Sequence, residues 1–156
     1  LSRIQATDHL YDYLDGWRQQ VRVGLRQYRK AYRTRYYYQL ELNNRADYQG
    51  TIDPFISFSP TRHTLRATGW WKLDHQLRVR ADGRYRYSHY NDDNILFGSI
   101  RQRREDNQTR LSLRLSRQLN RQWDVNAEYS YTNNDSNVDR QSYDRNVVKV
   151  GFSWLY

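Results

Sequence analysis

The chain has 156 residues, 37% hydrophobic and 28% charged, with 26 lysines and arginines against 17 acids for a formal charge of +9 and a mean hydropathy of -1.14. This balance excludes a transmembrane helix, which needs about 20 consecutive apolar residues, and without periodicity it would read as disorder. Fifteen Tyr, five Trp and four Phe argue instead for a folded structure with two sharply different faces.

The absence of cysteine fits a reducing compartment or an envelope protein without disulfides. The basic excess admits nucleic acid, anionic headgroups or an anionic substrate, so the placement of the arginines must choose among them. The chain starts at Leu1 with neither Met nor signal region, which leads to the expectation of a mature or excised piece.

Residues 1–16 form a poorly patterned entry segment, with Ile4, Ala6, Leu10 and Leu14 interrupted by Asp8 and Asp12 before the turn signal Asp15-Gly16. From Trp17 the period of two is clear. Trp17, Val21, Val23 and Leu25 stand opposite Arg18, Gln20, Arg22 and Arg26, and then Tyr36, Tyr38, Leu40 and Leu42 stand opposite Arg35, Tyr37, Gln39, Glu41 and Asn43. Such alternation predicts strands over 17–28 and 33–43 with one polar and one apolar face. Residues 44–62 hold both prolines, Pro54 and Pro60, and read as a long loop in which Ile52 to Phe58 could form a short strand.

An internal repeat follows. The hairpin Leu65 to Tyr85 recurs as Leu111 to Tyr131, a shift of 46 positions. Leu73-Asp74 and Gln76 at the first turn map onto Leu119-Asn120 and Gln122 at the second, and Leu77, Val79, Ala81 and Gly83 map onto Trp123, Val125, Ala127 and Tyr129. Strands are predicted over 64–72, 77–88, 109–118, 123–131 and 146–156. Short turns alternate with long polar loops at 44–62, 89–108 and 133–145, the sorting expected of a transmembrane barrel. On the apolar face Trp71 and Trp123 lie near short turns, and Tyr85, Tyr87, Tyr129 and Tyr131 near long loops. Two aromatic belts are therefore expected, as where amphipathic rings seek the headgroup region.

The chain ends on an alternating stretch, Val148 to Tyr156, in which Lys149, Gly151, Trp154 and Tyr156 fill the pattern polar, x, Gly, x, x, aromatic, x, aromatic. This ending resembles the closing strand of Gram-negative outer-membrane β-barrels, where it is the signal read by the barrel-assembly machinery. Residues 59–156, with "SPTRH", "GRYRYSHYNDD", "AEYSYTNNDSN" and "YDRNVVKVGFSWLY", resemble C-terminal barrel segments of envelope proteins that carry tetratricopeptide repeats or act in exopolysaccharide secretion. The resemblance implies export of a polymer or protein, with a periplasmic repeat domain or secretion partners, outer-membrane lipid and lipopolysaccharide as neighbours.

The fold class is accordingly all-β, an antiparallel transmembrane β-barrel built as a meander over 17–156. It is either the C-terminal part of a wider barrel or, should residues 4–14 add a strand, an eight-stranded barrel. With the apolar residues outward, Arg18, Arg22, Arg26, Arg66, Arg78, Arg80, Arg84, Arg86, Arg110 and Arg114 become pore-lining, facing the same way as only Glu41, Asp82, Asp124 and Glu128. Burying so many unpaired guanidinium groups in a dry core would cost several kcal/mol per ion. The expected function is a wet, Arg-lined pore in the bacterial outer membrane for export or passage of anionic polymers or solutes. A small closed barrel with a structural, adhesive or assembly-partner role is the alternative, and a soluble basic β-protein binding nucleic acid is the soluble rival. Because nothing in the sequence would cover that rival's apolar face, nucleic acid is not an expected partner.

No catalytic constellation stands out, and the chain is not expected to be an enzyme or to need a cofactor. His9, His63, His75 and His89 lack metal-ligand spacing. Asp135, Asn137 and Asp139 resemble half a calcium loop without its Gly and distal Glu, so turn chemistry is expected there.

Overall fold

The computed structural model describes residues 2–4, 16–45, 60–96 and 100–154. Eight strands, β1 (Ser2–Ile4), β2 (Gly16–Tyr28), β3 (Tyr32–Arg45), β4 (Pro60–Lys72), β5 (Leu77–Leu96), β6 (Ile100–Gln118), β7 (Trp123–Ser136) and β8 (Tyr143–Trp154), form one antiparallel sheet in strict chain order. A 3-10 turn, Asp139–Gln141, precedes β8. Pro60 opens β4, a first-residue position at which the lost donor is tolerated. Residues 5–15, the segment 46–59 with its possible loop strand, and Tyr156 lie outside the described residues. Within them the sheet is open, because β1 pairs only with β2 and β8 only with β7.

The repeat appears in the register. Leu65 lies directly opposite Tyr85 across β4 and β5, and Leu111 directly opposite Tyr131 across β6 and β7. The two short turns also match. Leu73 N–H donates to the Leu77 carbonyl (3.0 Å), as Leu119 N–H does to the Trp123 carbonyl (2.9 Å). Asp74 Oδ1 accepts the Gln76 N–H (2.5 Å), and Asn120 Oδ1 accepts the N–H groups of Gln122 (2.8 Å) and Trp123 (2.9 Å). A side chain that caps its own turn in this way fixes the chain reversal locally.

Asn120→Ala is expected to lower unfolding stability by about 1 kcal/mol, the net worth of a typical hydrogen bond, read from the denaturant midpoint. The Gln76 N–H holds the Asp74 carboxyl below its ordinary range, with the Leu77 N–H adding to it. Its stabilisation is therefore complete above the ordinary carboxyl range and fades as pH falls through the lowered value. Asp74→Asn should remove that fade from an acid titration of the midpoint.

The two long polar loops expected after β5 and β7 are corrected. Residues 89–108 are mostly strand, because β5 and β6 stay paired to Leu96 and Ile100, with a register irregularity between His89 and Asp93. In 133–145, β7 runs to Ser136 and β8 begins at Tyr143. Asn137 extends the ladder there: its Oδ1 accepts the Glu105 N–H (2.9 Å), and its Nδ2 donates to the Arg103 carbonyl (2.6 Å). The amide is thus spent on the neighbouring strand, and the described residues hold no group of three or more metal-ligating side chains.

The row of paired residues leaving β2 at Tyr28 passes through Arg33, Trp70, Arg80, Arg114 and Glu128 to Lys149. Tyr28 ends β2, whereas Lys149 stands five residues before Trp154 at the end of β8. With about 3.3 Å per residue and about 4.8 Å between strands, a climb of about five residues over about six steps inclines the strands by roughly 30°, near the tilt of transmembrane barrels.

The burial pattern inverts that of a water-soluble domain. On one face Leu65, Leu111, Phe152 and Val148 are 55%, 54%, 69% and 71% exposed, while Thr64, Thr68 and Ser130 on the other are only 4%, 5% and 6% exposed. Among the described residues the buried hydrophobic ones are just Tyr90 and Val138, both at the end away from the short turns. The sheet curls around its polar face and presents its apolar face outward.

Candidate functional site

Directly paired residues share a face, so the register assigns each side chain. Arg18, Arg22, Arg26, Arg66, Arg78, Arg80, Arg84, Arg86, Arg110 and Arg114 all fall on the polar, concave face, together with Arg35, Lys72 and Lys149. The same registers add Arg33, Arg62 and Arg145, which the period alone left unassigned. Four of the concave carboxylates are paired. Glu41 takes Arg62 at 3.0 Å and Arg18 at 3.9 Å, Asp82 takes Arg66 at 2.7 Å, Asp106 takes Arg104 at 2.7 Å, and Glu128 takes Arg114. Arg22 instead donates to Gln39 Oε1 at 2.7 Å, and Arg84 to Gln108 Oε1 at 2.7 Å.

The arrangement is densest in the middle of the sheet. Arg66 is directly opposite Arg84, and Arg84 directly opposite Arg110, which puts three guanidinium-bearing residues in one cross-strand row. Four residues nearer the short turns, Arg80 faces Arg114. Like charges directly opposite are destabilising. At about 5 Å apart they repel by about 1 kcal/mol in water and about 3 kcal/mol at an effective dielectric of 20. A cleft of about 220 Å³ lies over this patch, lined by Arg66, Arg80, Arg84, Arg110 and Arg114 with Asp82 and Glu128. Nε of Arg84 and Nε of Arg86 are covered and find no hydrogen-bond acceptor among the described residues.

Four of the inward aromatics have a guanidinium over the ring: Tyr28 under Arg33 (5.8 Å), Tyr37 under Arg22 (4.7 Å), Trp70 under Arg80 (5.3 Å) and Tyr90 under Arg104 (4.7 Å). Tyr28, Trp70, Arg33, Arg78 and Arg80 share a larger cleft of about 630 Å³ at the short-turn end. Tyr37 covers Gly24, its direct partner in β2, where an added Cβ would lie 2.6 Å from the Tyr36 carbonyl oxygen and 2.7 Å from Tyr37 Cβ. That close approach is why glycine stands there.

The aromatics assigned to belts lie on the outer face. Trp123 is directly opposite Trp154, with ring centroids 6.2 Å apart, and Trp71 lies at the same end. At the other end the tyrosine hydroxyls reach away from the short turns. Tyr85 donates to Asn107, Tyr129 to Asn146 (both 2.7 Å) and Tyr131 to Asp144 (3.0 Å), while Tyr87 lies beside the His63 ring (6.2 Å). His63 also hydrogen-bonds the Tyr38 hydroxyl at 2.7 Å. On β5 the outer apolar run from Leu77 to Tyr87 spans about ten residues, roughly 29 Å in height at the tilt above, against about 25 Å for a barrel's apolar band. Of the closing signal, Lys149 and Gly151 face inward and Trp154 outward.

No curated protein and no solved structure matches the chain. Residues 64–154, from β4 to the end of β8 and more than half of the chain, match the family described as "Putative beta-barrel porin 2". By that match, and with an all-antiparallel meander whose apolar face points outward, the chain belongs to this β-barrel porin family.

Proposed function

We propose that the sheet forms part of the wall of a water-filled pore in the bacterial outer membrane, and that its arginines favour passage or export of anionic solutes or polymers. The carrying observation is the excess of cations on the concave face. Its four described ion-pair centres, Glu41, Asp82, Asp106 and Glu128, are already engaged, whereas Arg78, Arg80, Arg84, Arg86 and Arg110 have no carboxylate partner among the described residues. A surplus of one sign inside low-dielectric walls lowers the electrostatic cost of entry for the opposite sign.

Lipid is the natural cover for the outer face, because a contiguous apolar surface of this extent is not left open to water. An unpaired backbone edge in lipid costs several kcal/mol per group, so the free edge of β8 calls for a further strand, and the wall continues beyond the strands described. The outer tyrosines would sit among lipid and lipopolysaccharide headgroups, and the barrel-assembly machinery would read the closing strand. The test is reversal potential in planar bilayers under a KCl gradient. The native chain should prefer chloride, and joint replacement of Arg78, Arg80, Arg84 and Arg86 by Gln should move selectivity toward potassium. Unchanged selectivity would sink the proposal.

A further inference from the structure

We infer that the Arg66–Arg84–Arg110 row is a discrete binding site for a multivalent tetrahedral oxyanion, inorganic phosphate or a phosphoryl group, rather than only part of a diffuse positive lining. The inference deepens the pore reading and rests on it for physiological meaning, though not for its test.

The argument is one of unmet valence. Five arginines line the central cleft with two carboxylates, and those two are engaged by Arg66 and Arg114. Asp82 is further committed through Thr68, whose hydroxyl donates to the same oxygen at 2.7 Å. Arg80 is turned over Trp70. Arg84 and Arg110 are left directly opposite each other without a carboxylate, and Arg84 Nε lacks an acceptor. One level toward the long loops Arg86 Nε is equally unmet, and its cross-strand partners Thr64 and Gln108 are neutral.

Adjacent strand backbones stand about 4.8 Å apart, and long arginine side chains rising from directly opposite positions can converge on one small anion. A carboxylate has two oxygens and one charge, enough to satisfy a single arginine through a bidentate pair. A phosphate offers more oxygens and a charge between one and two, so it can take Arg84 and Arg110 together and still reach the free edge of Arg66 or Arg86. Rotating Arg84 to present its Nε edge would also satisfy the orphaned donor. Rigid strands fix the spacing, so the site needs no loop closure.

The experiment is phosphorus NMR and calorimetric titration of the detergent-folded chain with inorganic phosphate, with acetate as the single-charge carboxylate arm and a sugar phosphate against its dephosphorylated sugar as the larger-ligand arm. Saturable phosphate binding is expected, with acetate at least tenfold weaker. Arg84→Gln and Arg110→Gln should each weaken phosphate binding at least tenfold, while Arg121→Gln, the same charge change in a short turn, should leave it unchanged. A sugar phosphate that matches phosphate marks a free-phosphoryl site open to larger cargo, and one that fails to bind marks a site for the small ion; either supports the inference. Phosphate no tighter than acetate, or binding untouched in both variants, overturns it. In bilayers, chloride current that falls saturably with added phosphate ties the site to the pore. Binding without any conductance would leave the site standing and remove the pore reading alone.

Discussion

Leu113→Arg is expected to lower the stability of the chain in lipid vesicles by about 2–4 kcal/mol, the cost of a cation near the bilayer midplane on a barrel's outer surface. Leu113 is 46% exposed, at mid-height on β6, flanked on the outer face by Ala81 and Tyr129. In water the same substitution would be nearly free or even favourable, since it replaces an exposed apolar group by a solvated one. Asn126→Arg is the matched control, on the concave face opposite Ser116 and Gly151 and two residues from both Asp124 and Glu128, and should stay within about 0.5 kcal/mol. Urea-dependent refolding into phosphatidylcholine vesicles measures both. Equal effects at the two positions would contradict a lipid-facing outer surface.

The second large effect is at Asp82. One carboxylate oxygen accepts Arg66 Nε at 2.8 Å and the Thr68 hydroxyl at 2.7 Å, on a side chain only 11% exposed. Asp82→Asn removes charge-assisted hydrogen bonds worth about 1.5–3 kcal/mol and leaves Arg66 facing Arg84 without a counter-charge. A loss of about 2–3 kcal/mol is expected at low ionic strength. It should be partly recovered in 1 M salt, where screening shortens to about 3 Å. Arg66→Gln combined with Asp82→Asn should be less damaging than Asp82→Asn alone, because the second change deletes the stranded charge. If the double variant were the worse of the two, repulsion along the arginine row would not be the cause.

How much of this was legible in the sequence follows from what alternation records. A period of two reports that the two faces meet different solvents, not that the backbone is extended. At the short-turn ends, where one face is apolar and the other polar, the boundaries expected at Tyr28, Lys72, Leu77, Gln118 and Trp123 agree with the strands found. Asn91 to Leu96 and Ile100 to Glu105 carry no clear alternation in the sequence and read as loop, although their ladder continues.

The repeat fixed the faces of β4 to β7 because two hairpins had to obey one phase. Alternation put Tyr37 on the inward face of β3, but the repeat could not locate Trp70. Trp70 and Trp71 are consecutive and must point oppositely, yet nothing local says that a tryptophan tolerates the wet face until Arg80 is seen over its ring. Arg33, Arg62 and Arg145 escaped for a similar reason, each lying at or past the end of the clear alternation, where only pairing partners assign a side. The cross-strand row Arg66–Arg84–Arg110 was invisible in principle, since its members are 18 and 26 positions apart and come together only through register.

The matched hairpins have a consequence for how such a wall can change in size. The offset between them, 46 positions from Leu65 to Leu111, is an even number, and each unit begins and ends on an equivalent turn. Inserting or deleting one whole unit therefore preserves parity: no neighbouring side chain swaps sides, and every capped turn stays on its original rim. Circumference becomes a quantity adjustable in two-strand increments, by duplication or loss of a contiguous stretch of gene, with only the pairs across the join made anew.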